Sequence, residues 1–442
     1  MRKSKLDLFF LKPIQNFIEK KTSVGIVLFL AAMLAMVVAN SSLSGYYFSF
    51  LDKYISFGVH NFQIKKNILH WINDGLMSMF FFLVGLELKR EILEGELSSF
   101  RDSILPAFAA LGGMLVPALI YTLINHGTPG ANGWGIPMAT DIAFALGILY
   151  LLGDKVPLSL KVFLTAVAIV DDIGAILVIA LFYTEEIAVQ NLYLGASFML
   201  FLIIGNILGI RNTLYYALFG IGGVWLAILL SGVHATIAAV VVAFTIPANR
   251  KVHTGLFLRK IRLMAFKIGH QHDTMPLNKS RLSSEIEKIT LLTYDASPPL
   301  HRLEHSFNSF VSFVVLPVFA FANAGVVLGS DVFQQLMSSV TLGVVSGLIV
   351  GKVVGITLFT FIMVKLRICH LPHGVDWPKI MGVGLLAAIG FTMSVFITDL
   401  AFKDEQLIKQ AKLGILAAST VAGVLGYYLL KGNGKKEVGS LE

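Results

Sequence analysis

The sequence predicts an all-α polytopic membrane protein of about twelve transmembrane helices, on three observations. The 442 residues are 56% hydrophobic and only 14% charged, with a mean hydropathy of +0.77; a soluble domain carries about 25% charged residues. About twelve windows of roughly twenty residues are apolar enough to cross a hydrocarbon core. Lys and Arg fall mainly in alternate loops, as they do where the basic loops stay in the cytoplasm.

The elements follow in order. Arg2, Lys3 and Lys5 place residues 1–21 in the cytoplasm, and 22–40 is the first span. Cleavage of that span as a secretory signal would leave the later loops with the wrong charge parity. The segment 51–66 is too polar to span. Its alternation at Tyr54, Ser56 and Gly58, with His60 and Asn61 as a turn, predicts a short external hairpin. Spans 67–88, 104–124, 133–152, 157–183, 191–210, 213–230 and 233–248 follow. Lys89, Arg90 and Arg101, then Lys155 and Lys161, then Arg211 lie in the cytoplasmic loops, and external loops 125–132, 184–190 and 329–340 hold no Lys or Arg. Lys53, Lys65 and Lys66 are a mild exception.

The polar stretch 249–305 reads as a cytoplasmic loop. Arg259, Lys260, Arg262 and Lys267 alternate with Leu258, Ile261, Leu263, Met264 and Phe266, which predicts a helix on the inner leaflet. Ser284 with Glu287 reads as the capping box of another short helix. A solvated insert without transport chemistry is the simplest reading of the stretch. Spans 306–328, 341–364, 378–400 and 407–430 complete the set, and the tail 431–442 returns to the cytoplasm. Residues 1–442 thus read as one transmembrane domain. The net charge of +8 is accounted for by these loops, so it does not indicate nucleic-acid binding. A single cysteine, Cys369, excludes an intrachain disulfide. With no phosphate-binding loop, primary pumping by this chain is not expected, nor is a cofactor.

Charge inside the spans carries the chemistry. Asp171 and Asp172 sit side by side in 162–181, which has no other charge. Carboxylates so placed ordinarily line ion pathways or proton relays. Adjacent residues on a helix point about 100° apart, so the two cannot face the same group. Lys352 lies about eleven residues from either end of its span, about 16 Å from each interface. Its stem cannot snorkel that far, so it needs an internal partner, and one aspartate is the obvious choice. Gly343, Gly347, Gly351 and Gly355 form a small-residue face that draws a neighbouring helix, and Lys352 with it, close. A buried structural ion-pair network is the alternative. Asp141 and Thr140 follow Pro137, which breaks a helix interior; the pair either caps the freed backbone or serves an ion. Gly390 and Thr392 mark a second possible unwound stretch, though glycines in such helices also serve packing. Asp74, Glu87, His234 and Asp399 lie nearer span ends, where solvated or capping roles are as natural.

The motifs ATDIAFA at 139–145, VDDIGA at 170–175, SGVHAT at 231–236, FANAG at 321–325, GFTMS at 390–394 and VGLELKRE at 84–91 together resemble the bacterial NhaA-type sodium/proton antiporters. The resemblance runs in order from the first span to the twelfth. It implies twelve helices in inverted repeats, with two interrupted helices, those at 133–152 and 378–400, crossing near the midplane. It makes Asp172 the principal cation-binding carboxylate and Asp171 the neighbour that engages Lys352. It sets Thr140 beside the site, and has Asp141 and Lys352 offset the half-helix dipoles. Glu87, Arg90, Glu91, Glu304 and His305 fall at positions associated with pH activation, and His234 is a further candidate for pH response. Asn308 stands where some members carry a second histidine. The 51–66 hairpin implies a homodimer. The expected function is secondary antiport of Na+, or Li+, against H+ across the bacterial inner membrane, with no resident metal beyond the transported ion. A different cation/proton-coupled transporter or a channel is the alternative. An intramembrane aspartyl protease needs its two aspartates on different helices, in Tyr-Asp and Gly-x-Gly-Asp settings. Here Tyr294-Asp295 lies in a polar loop and no Gly-x-Gly-Asp occurs.

Overall fold

A computed structural model describes residues 21–59, 62–95, 97–184, 188–250, 254–274 and 279–433. The first helix, α1 (Lys21–Ala39), is followed by the short α2 (Ser44–Leu51). Strands β1 (Tyr54–Val59) and β2 (Phe62–Asn67) pair antiparallel, from Tyr54 opposite Asn67 to Val59 opposite Phe62. The expected hairpin is thus present; its turn residues, 60 and 61, lie outside the described residues. Asn67 then caps the start of α3 (Ile68–Glu94) by accepting from the His70 backbone.

The apolar helices continue as α4 (Phe100–Asn125), a 3-10 turn (Ala131–Met138) leading to α5 (Ile142–Leu151), α6 (Leu158–Phe182), α7 (Val189–Ile207), α8 (Thr213–Leu229) and α9 (Ala235–Thr245). Two polar helices, α10 (Thr254–Thr274) and α11 (Lys279–Ala296), occupy most of the 249–305 stretch. Then come α12 (Pro299–Asn323), α13 (Ser339–Lys365), α14 (Trp377–Ala387), α15 (Phe391–Ala401) and α16 (Glu405–Asn433).

Each expected span has its helix. Among the described residues nine helical segments are long and apolar enough to cross a membrane, and ten if α14 and α15, bent by 48°, count as one. Only α8 and α9 fall short of that length. For α9 the reason is local: Gly232, at φ 85°, precedes it and Pro247 follows it. The short helix is packed hard, since a Cβ on Gly85 of α3 would sit 2.7 Å from Ala243 Cβ.

Three expectations need correction. Ser284 is not a helix start, because α11 already runs from Lys279. The helix that carries the ninth span begins at Pro299, ahead of 306: Pro298 and Pro299 set the first turn, so Glu304 and His305 lie on helix rather than loop. The glycine face of α13 meets α4, not the aspartate helix. A Cβ on Gly351 would sit 2.6 Å from Pro117 Cα, and one on Gly355 would collide with the Gly112 carbonyl. Lys352, next on the helix, lays its stem along the same neighbour, its Cδ 3.6 Å from where a Cβ on Gly113 of α4 would sit, and its ammonium reaches past α4 to Asp171 on α6.

Candidate functional site

Two helices are interrupted, and the breaks touch. Residues 139–141 leave helical geometry after Pro137, and residues 388–390 do so between α14 and α15. Backbone groups freed in a membrane interior must find partners, and here each break serves the other. The Asp141 amide donates to the Ile389 carbonyl at 2.6 Å. The Ser394 hydroxyl donates to the Ile136 carbonyl at 2.8 Å.

The Asp141 carboxylate joins two helix starts. Its Oδ1 accepts from the Phe144 amide at 3.2 Å, capping α5. Its Oδ2 accepts from the Thr392 amide at 3.1 Å and the Thr392 hydroxyl at 2.5 Å, at the start of α15. One negative group thereby meets the positive ends of two half-helices.

Asp171 and Asp172 lie mid-way along α6, both buried. Lys352, with 0% of its surface exposed, donates to Asp171 Oδ2 at 2.5 Å. Thr140 Oγ1 is 2.8 Å from that same oxygen and 2.8 Å from the Ala387 carbonyl. A hydroxyl has one proton, so Thr140 donates to one of them at a time. When Asp171 is ionised it can accept from Thr140; when protonated it can donate to Thr140 while Thr140 donates to Ala387.

Two acceptors are left over. Asp171 Oδ1 and Asp172 Oδ1 are buried and have no hydrogen-bond partner. Buried polar atoms are ordinarily paired, and a carboxylate oxygen suits a proton or a hard cation such as Na+. The charges that act on Asp172 are Asp171, Glu87, Asp141 and Lys352, three negative against one positive.

At the other end of α3, Arg90 bridges Glu91 and Glu304, each at 2.9 Å. His301 lies 3.0 Å from Glu94, and His305 is exposed on the same helix, α12. Glu87 sits one turn nearer the aspartates. His234 does not join this cluster. Its Nε2 lies 2.9 Å from the Tyr183 carbonyl, at the end of α6.

Sequence reasoning gave no role to Ser394. It also missed a network in which Asn73 donates to Asp399 at 3.1 Å and Lys412 pairs with Asp399 at 3.0 Å. The early charge of Lys412 in an apolar span was the available sign.

The family model described as Na+/H+ antiporter 1 matches residues 15–430. The chain is 48% identical to the Na(+)/H(+) antiporter NhaA of Oleidesulfovibrio alaskensis, over 95% of this chain and 94% of that protein. It is 47% identical to Na(+)/H(+) antiporter NhaA 2 of Syntrophotalea carbinolica, over 96% and 97%. It is 44% identical to the Na(+)/H(+) antiporter NhaA of an Escherichia coli strain, over 95% and 98%.

Proposed function

The chain belongs to the Na+/H+ antiporter 1 family and is a multi-pass membrane transporter exchanging Na+ for H+, and we propose that the exchange is a competition between the two ions for the Asp171–Asp172 pair. The observation that carries this reading is the pair of orphaned oxygens, Asp171 Oδ1 and Asp172 Oδ1, buried beside Lys352. Asp172 is the principal Na+ ligand. Asp171 is held by Lys352 and Thr140, and its protonation trades one hydrogen-bond pattern for another. Asp141 and Thr392 hold the crossed breaks together, so that the α5 and α15 half-helices move as one when the site changes the face it opens to. Li+, with the same charge and hardness, is a second substrate.

The Arg90–Glu91–Glu304 cluster, with Glu87 and His305, is the pH-responsive part. Two features support it: Glu87 acts electrostatically on Asp172, and Arg90 ties α3 to α12. The protein resides in the bacterial inner membrane with both termini in the cytoplasm, on the strength of the loop charges, and it dimerises through the β1–β2 hairpin.

Isothermal calorimetry of the purified protein in buffers of differing ionisation heat tests the competition. Na+ binding should weaken with acidification and release protons. Sodium uptake indifferent to pH, with no proton released, would overturn the reading.

A further inference from the structure

Beyond the transport path, a cleft of about 440 Å³ opens between the segment joining α7 to α8 and the end of α11. Its lining includes Arg211, Asn212, Tyr294, Asp295, Ser297 and Arg302. Arg302 is the informative group. Its Nε and Nη1 are buried with no hydrogen-bond partner, and the Tyr294 ring centroid lies 3.5 Å from its guanidinium carbon. Stacking on an aromatic face fixes the plane of a guanidinium and leaves its edge donors free. Donors left unmade in a buried place are costly unless an acceptor arrives from outside.

The surroundings select the charge of that acceptor. Arg211 stands on the same cleft, its Nη1 3.4 Å from the Asn206 carbonyl. Asn212 caps α8 by accepting from the Leu214 amide, and Pro299 opens α12, so the first turns of two helices border the cleft. Asp295 is the one opposing carboxylate on the lining, against two guanidinium groups.

We propose that this cleft binds a phosphate group, gripped by the edge of Arg302 and neutralised by Arg211. A tetrahedral dianion or diester offers paired oxygens that match the guanidinium fork. The phosphate belongs to a soluble ion or to a phospholipid headgroup; both present the same chemistry here. Binding does not depend on how the transport site works, so it is read independently of exchange.

The test uses the full-length protein purified in phosphate-free buffer, titrated with inorganic phosphate and, separately, with bicelles containing phosphatidic acid or only zwitterionic lipid. Saturable binding of phosphate, or of phosphatidic acid over the zwitterionic control, is expected. Binding of the inorganic ion assigns a soluble ligand; a response to phosphatidic acid alone assigns a lipid. Arg302→Gln should weaken binding about tenfold or more. Ser297→Glu, which sets a carboxylate in the cleft and keeps both arginines, should weaken it likewise and decides the matter should Arg302→Gln fail to fold. No saturable binding of either probe, or affinity unchanged in Ser297→Glu, would overturn the proposal.

Discussion

Asp172 accepts no hydrogen bond at Oδ1, so the isosteric change Asp172→Asn removes charge without breaking a bond made there. In proteoliposomes this variant should lose sodium-dependent proton flux while keeping its melting temperature; near-normal flux would remove Asp172 from the mechanism. Lys352→Ala is a different experiment. It strips the Asp171 carboxylate of its partner inside the protein, where breaking a buried pair costs about 3–5 kcal/mol. Thermal stability in detergent should fall markedly, and an unchanged melt with an unchanged pH profile would dissolve the pair's proposed role. These residues were legible in the sequence because a charge deep in an apolar window must have a reason. The 100° step between them leaves open which aspartate meets Lys352, and only the family resemblance pointed to Asp171. The double position of Thr140 was not legible at all, since it depends on the Ala387 carbonyl, 247 residues away.

Helices pack here through glycine, and the consequences differ from one glycine to the next. A Cβ on Gly355 would meet the Gly112 carbonyl, and backbone cannot step aside as a side chain can, whereas a Cβ on Gly222 would have nothing within 4 Å. Gly355→Ala should therefore destabilise by about 1–3 kcal/mol through overpacking, while Gly222→Ala should be neutral or mildly stabilising; equal melting temperatures for the two would refute the close α4–α13 seam. The glycine spacing was readable, but its partner was not, because a four-residue repeat names a face and not a neighbour. The insert was misread for a related reason: polarity hides α11 from hydropathy windows, so a capping pattern at Ser284 stood in for a start that lies further back. A second element-scale consequence concerns α2. Tyr47 donates to the Phe321 carbonyl at 2.6 Å, and burial, opposed by a backbone bond at Gly325, pushes its phenol up from 10.0 to about 12. A raised folded-state value favours the neutral form, so this contribution to stability is complete below pH 10 and fades between pH 10 and about 12. Tyr47→Phe should flatten the alkaline limb of a stability–pH curve over that window, as followed by thermal melts.

For the whole molecule the question is whether a cycle moves net charge, and the site's own inventory frames the answer. With Na+ bound, two ionised aspartates, Lys352 as a cation and the ion sum to zero. With both aspartates protonated and Lys352 still charged, the same site carries one positive charge. If only Asp172 titrates, the protonated and sodium-loaded sites are equal in charge. Thr140 permits the first case, because its distances to Asp171 and Ala387 accommodate a protonated Asp171 as well as an ionised one without rearrangement. We propose that both aspartates titrate, which makes the exchange unequal, and the membrane potential then acts on the cycle with about 2.3 kcal/mol per net charge per 100 mV. That corresponds to about a fiftyfold sodium ratio at equilibrium. Proteoliposomes holding equal pH and equal Na+ on both sides, given a potassium diffusion potential, should move Na+ towards the side made positive. The accumulation should collapse when the potential is short-circuited. No sodium movement under potential alone would mean that one proton exchanges for one Na+, and would confine titration to Asp172, with Asp171 fixed as the counter-ion of Lys352.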